Sequence, residues 1–127
     1  MKGTFLLMVS VILVSFLSSC NKAAKDNHII DVNKSQATKI LAEEEITVID
    51  VRTPGEYQRG HVEGAILINF NENGFQEKIA ALDPSKSYLV YCHSGGRSSG
   101  AVKVMSKLGF TKVYHLYHGA RGGLPTR

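Results

Sequence analysis

The stretch Tyr88-Leu89-Val90-Tyr91-Cys92-His93-Ser94-Gly95-Gly96-Arg97-Ser98 decides how the rest of the chain is read. It opens on a run of aromatic and branched apolar residues, the composition of a buried strand. Beyond it, Ala101, Val104, Met105 and Leu108 recur at i, i+3, i+4 and i+7, the spacing of an amphipathic helix. A cysteine therefore sits where a strand ends, and a glycine-containing turn hands the chain to a helix N-terminus. In open α/β sheets, ligands bind at this place, outside the carboxyl ends of the strands.

The segments on either side fit the same plan. Ile29-Ile30-Asp31-Val32 reads as a short strand, and Asn33 or Ser35 is placed to cap a helix with Ala37, Ile40 and Leu41 on its apolar face. Ile46-Thr47-Val48-Ile49 is a compact β-branched run, the pattern of a strand covered on both faces. Thr53, Pro54 and Glu56 spell a helix start: a cap, a proline at the first position and a reciprocal carboxylate. That helix ends at Gly60, and Gly60 to Ala65 is a turn. Ile66-Leu67-Ile68 is a further strand, and Phe75 to Leu82 has helical spacing. Asp83-Pro84-Ser85-Lys86 is a turn. The helix after the cysteine loop ends at Gly109, and Val113-Tyr114-His115-Leu116 is the last strand. Alternating strands and helices predict an α/β fold with a small, mostly parallel central sheet flanked by helices on both faces. The predicted domain runs from residue 28 to residue 127.

A chain of 127 residues suits one domain. The formal charge of +4 is scattered, and no basic run is interleaved with aromatics, so nucleic acid is not an expected partner. What remains is mild attraction for small anions. Glu43-Glu44-Glu45 reads as a solvated helix end. His115 and His118 lack the paired spacing that would make them zinc ligands with Cys92, so no zinc site is expected there.

The loop itself reads as a chemical device. Gly95 and Gly96 permit positive φ and close backbone approach. A loop curling ahead of a helix can turn several N–H groups inward as an anion nest, and the helix adds its positive end. Arg97, and His93 when protonated, add side-chain charge. A cysteine in that setting has a lowered pKa and is a thiolate near neutrality.

Cys92-His93-Ser94-Gly95-Gly96-Arg97-Ser98 resembles the active-site loop of the rhodaneses, a family of sulfurtransferases. Asp50-Val51-Arg52-Thr53-Pro54-Gly55-Glu56-Tyr57, followed by Gly60-His61-Val62-Glu63-Gly64-Ala65-Ile66, is similar to that family's first signature. Leu108-Gly109-Phe110 with Val113-Tyr114 resembles its link from helix to last strand. The resemblance implies a rhodanese-like fold with Cys92 as nucleophile and sulfur carrier, and no metal or organic cofactor. A small anionic donor such as thiosulfate would give up its outer sulfur, and a thiol or cyanide would accept it. It also implies that the loop residues His93, Ser94, Gly95, Gly96, Arg97 and Ser98 bind the substrate, with Arg97 attracting the donor. Arg52 is divided between the pocket wall and an ion pair, whereas Asp50, Glu56 and His61 are expected as structural support. Two departures concern the tail. His118 precedes Gly119 where the family often has a double glycine, and the chain has no tryptophan.

At the other end, Lys2 precedes an apolar run from Phe5 to Leu17, interrupted by Ser10 and Ser15 and short for a membrane span. Leu17-Ser18-Ser19-Cys20 resembles the bacterial lipobox. That implies a lipoprotein signal peptide over residues 1–19, lipid on Cys20, a flexible tether over residues 20–27, and anchoring in a bacterial cell envelope facing the periplasm.

Two other functions share these features. Phosphatases and arsenate reductases of the cysteine-loop class also place a thiolate at a strand-to-helix turn, but with five residues between cysteine and arginine. Here four residues, His93 to Gly96, lie between them, a smaller nest that suits a sulfur atom better than a tetrahedral phosphate. A non-catalytic binding module is the other alternative, and the presence of Cys92 weighs against it.

Overall fold

The computed structural model describes residues 28–127, so the expected signal peptide, the tether and Cys20 lie outside the described residues. Strands β1 (His28–Val32), β2 (Thr47–Asp50), β3 (Ile66–Leu67), β4 (Ser87–Tyr91) and β5 (Lys112–Leu116) form one sheet in the order β1-β5-β4-β2-β3. Every pairing in it is parallel, as the alternation of elements leads one to expect. The helices are α1 (Lys34–Glu43), α2 (Pro54–Gln58), α3 (Phe75–Ala80) and α4 (Gly96–Lys107).

Strand periodicity sorts the core into two layers. Tyr88, Val90 and Cys92 face one side, packed with Ile79 of α3 and with Ala101, Val102 and Met105 of α4. Leu89 and Tyr91 face the other, with Ala37 and Leu41 of α1 and, more peripherally, Tyr57 of α2. Val48, Ile49, Leu89 and Val90 are fully buried, so β2 and β4 are covered on both faces. Each such side chain contributes roughly 1.5–3 kcal/mol on burial.

The local signals are met in detail. Asn33, rather than Ser35, caps α1 in a reciprocal capping box with Gln36. Thr53 and Glu56 form a second box, with Pro54 opening α2. Observed strand and helix ends differ from the sequence expectations by a residue or two, as fraying ends do. Because the strands are parallel, their carboxyl ends share one edge of the sheet. The Cys92 loop, Arg52 and the chain after β5 all emerge there.

Candidate active site

Cys92 directly follows β4 and is 1% exposed, whereas His93, Ser94 and Gly96 above it are exposed. The Gly95 N–H donates to Cys92 Sγ at 3.1 Å, and Ser98 Oγ lies 3.3 Å from the sulfur. Burial pushes the thiol pKa up. The Ser98 hydroxyl and the backbone N–H groups of Ser98, Gly95 and Ser94 outweigh it, and the net shift is downward. The sulfur thus sits in a donor nest at the start of a twelve-residue helix.

The loop's shape rests on Gly95, which has φ of 96°. A Cβ there would lie 1.9 Å from the Tyr117 carbonyl oxygen. Gly96 departs from expectation: it is the first residue of α4, without a positive φ, and a Cβ there would meet open space. The turn after β5 clasps the loop from behind. Ala120 N–H donates to the Cys92 carbonyl at 2.8 Å and Arg121 N–H to the His93 carbonyl at 2.9 Å. Gly119, with φ of 63°, has no room for a Cβ, which would meet the His93 backbone at 2.5 Å. The start of the tail is therefore part of the loop's support.

Arg97 makes a bidentate pair with Glu56, Nη1 to Oε2 at 2.8 Å and Nη2 to Oε1 at 2.9 Å, a contact that the sequence does not announce. The Arg97 guanidinium holds the Glu56 carboxyl well below the usual carboxylate range, helped by its bonds to Thr53. One carboxylate thereby caps α2 and tethers α4 to it. Since Glu56 has a depressed folded pKa, its contribution to stability is full above the ordinary glutamate value of about 4.3 and fades as pH falls below it.

Arg52 pairs with Asp50 and also lines the cleft beside the loop. Asp50 is fully buried and accepts from Arg52 N at 2.9 Å, Arg52 Nη2 at 2.7 Å and the Tyr91 hydroxyl at 2.6 Å. Arg52 Nη2 also donates to the Gly60 carbonyl at 2.6 Å, and its guanidinium lies over the Tyr91 ring. Tyr91 in turn accepts from Val62 N–H at 3.1 Å. His61 braces the turn, with Nδ1 2.9 Å from the Tyr57 carbonyl and its ring stacked on Tyr57 at 3.6 Å. His115 and His118 take separate environments: His115 bonds to Ser98 and Asp31, while the His118 ring lies against Tyr117.

A cleft of about 510 Å³ opens beside the loop, lined by Arg52, Glu56, Arg59, His93, Ala120 and Leu124 among others. Cys92 lies beneath the loop and is not part of the cleft wall. Sequence reading missed Arg59, Tyr91, Asp31, His115 and the hydroxyl of Ser98, and only Tyr91 had a local signal, its place before Cys92.

An open parallel sheet that cradles a thiol at a strand end, under a helix N-terminus, defines a cysteine-centred α/β site. The chain belongs to the family described as the rhodanese-like domain, whose model matches residues 33–123. Thiosulfate sulfurtransferase PspE of Escherichia coli is 43% identical over 67 residues, covering 51% of this chain and 62% of that one. Thiosulfate sulfurtransferase 18 of Arabidopsis thaliana is 31% identical over 107 residues, covering 75% and 78%. The chain spans 44% and 62% of the length of two of its curated relatives. A crystal structure of a rhodanese-related protein from Thermoplasma volcanium superposes with a TM-score of 0.61 at 31% identity, over 71% of this chain and 85% of that one.

Proposed function

We propose that this chain is a sulfurtransferase that carries a sulfane sulfur on Cys92, from a donor such as thiosulfate to a thiol or cyanide acceptor. The carrying observation is the buried Cys92 sulfur, which receives the Gly95 N–H and lies beside the Ser98 hydroxyl, with its pKa lowered. The thiolate attacks the outer sulfur of the donor. One S–S bond forms as another breaks, and sulfite departs with the bonding pair. The persulfide anion then rests on the donors of residues 93–98 until the acceptor attacks its outer sulfur and returns Cys92 as thiolate.

In this reading His93, Ser94, Gly95, Gly96, Arg97, Ser98 and Arg52 shape the binding site, and Asp50, Glu56 and His61 support it. Exposed Arg59 on the cleft wall is the cation that meets the donor, since Arg97 is engaged by Glu56. That pairing also favours sulfur transfer over phosphate hydrolysis, because an oxyanion-holding arginine has to be free to reach over the loop.

Treatment with thiosulfate is expected to add the mass of one sulfur to the Cys92 peptide and release sulfite. No mass gain, or hydrolysis of a phosphotyrosine-like substrate without sulfur transfer, would overturn the reading. The same proposal anchors the domain by lipid on Cys20 in a bacterial envelope, facing the periplasm, on the strength of the apolar run and small residues before it. The intact mass of membrane-extracted protein is expected to show a chain beginning at acylated Cys20. A mature chain still beginning at Met1 refutes the anchor.

A further inference from the structure

A chain of hydrogen bonds runs from the sulfur away from the donor cleft. Cys92 Sγ lies 3.3 Å from Ser98 Oγ, Ser98 Oγ 2.9 Å from His115 Nε2, and His115 Nδ1 2.8 Å from Asp31 Oδ1. Ser98 and His115 are buried, whereas the Asp31 side chain is 68% exposed. The fold builds this line from three elements. Asp31 and His115 are register partners across the β1–β5 pair, and Ser98 stands in the first turn of α4.

The Ser98 hydroxyl also has the Gly95 carbonyl at 3.1 Å as an acceptor; with the serine hydrogen in the line between Cys92 and His115, the donors and acceptors can be ordered in two ways. A carboxylate only accepts, so His115 Nδ1 carries a hydrogen. In the neutral imidazole Nε2 then accepts from the Ser98 hydroxyl, whose oxygen accepts from the thiol. In the imidazolium Nε2–H donates to Ser98, and the serine hydrogen turns toward a thiolate. The two end states differ by the shift of two hydrogens along bonds already in place.

We propose that Ser98, His115 and Asp31 are a proton relay that draws the proton from the Cys92 thiol and holds the sulfur as an anion. This rests on the sulfur-transfer reading for its purpose. The S–H bond breaks and leaves its electron pair on sulfur. The proton passes to Ser98 Oγ as the serine proton passes to His115 Nε2, so net charge is unchanged and no other reactant is needed. The proton stays on His115 through turnover, because thiolate and persulfide are both anions beside it. Asp31 balances the imidazolium from the solvent side. His115 and Asp31 are positioning residues, since they act on the sulfur only through Ser98.

Other charged groups flank the line. Lys103 of α4 borders the cleft that holds Asp31 and His115. Toward the sulfur stand Arg97 with Glu56, the Asp50–Arg52 pair at the end of β2, and His93 in the loop. Substitutions at 115 and 31 leave all of these in place.

The test is the rate of Cys92 alkylation by iodoacetamide between pH 5 and pH 10 in the full chain, read on the Cys92 peptide so that Cys20 is counted apart. His115→Gln keeps a polar contact to Ser98 but cannot take a proton. Its alkylation at pH 7 is expected to fall about tenfold. Well above the ordinary thiol value of about 8.5 it should rejoin the wild type. Asp31→Asn, on an exposed side chain that puts folding at little risk, should show the same change at about threefold. Superimposable profiles, or a loss by one factor at every pH, overturn the relay and leave His115 as a brace. Sulfite release is measured separately. A shifted profile in a chain that takes no sulfur from thiosulfate supports the relay and removes the sulfur-transfer reading.

Discussion

Cys92→Ser is expected to lower sulfur transfer on the order of 10³-fold or more, and to leave no sulfur on the protein after thiosulfate treatment. The hydroxyl is nearly isosteric with the thiol, and the Gly95 N–H that now reaches Sγ at 3.1 Å can reach an oxygen as well. What changes is chemistry: a serine oxygen cannot hold a sulfane sulfur, and its proton is far harder to remove. The unfolding midpoint should therefore stay within a few degrees of the wild type while activity vanishes. The paired measurement is sulfite release and a thermal melt on the same sample. Retained transfer would place the carrier elsewhere.

Asp50→Ala is expected to produce the largest loss of stability of any single change near the site. Asp50 is fully buried, and Arg52 is 6% exposed. Without the carboxylate, the guanidinium keeps the Gly60 carbonyl and the face of the Tyr91 ring, and the Tyr91 hydroxyl loses its acceptor. Removing one partner of a buried pair strands the other charge, at about 3–5 kcal/mol. For a domain of this size, at roughly 4 °C per kcal/mol, that is a fall in melting temperature of at least about 12 °C. Asp50→Asn, which keeps an acceptor, should lose less. Circular dichroism melts decide the matter, and a fall under about 4 °C would show that solvent reaches Arg52 and screens the pair. The consequence for the site is indirect. Asp50 and Tyr91 are register partners across β2 and β4, so loosening one loosens the residue before Cys92.

The sequence and the structure agree wherever information is local. Strand, glycine turn and helix around Cys92, the caps at Asn33 and Thr53, and the alternation that forces a parallel sheet all depend on neighbours within a few residues. Strand order is another matter. Nothing in the composition of β1 says that it pairs with β5, so the meeting of Asp31 with His115 was illegible, although both residues stood in recognised strands. The pairing of Arg97 was illegible for a similar reason: its partner Glu56 lies 41 residues away, on a separate helix. The clasp of the tail on the loop escaped because it is made by backbone groups, which every residue carries.

That clasp separates two kinds of information within one loop. The sulfur's immediate contacts depend on main-chain amides and the buried Ser98 hydroxyl, on the small volume of Gly95 and Gly119, and on carbonyls fixed by Ala120 and Arg121. The side chains of His93 and Ser94 point to solvent and carry none of that geometry. Natural selection can therefore rewrite the rim, and with it the choice of docking molecule, without disturbing the cradle beneath. Among chains that share this fold, diversity in what is recognised is expected to concentrate at positions 93, 94 and 59, while positions 95 and 119 stay glycine.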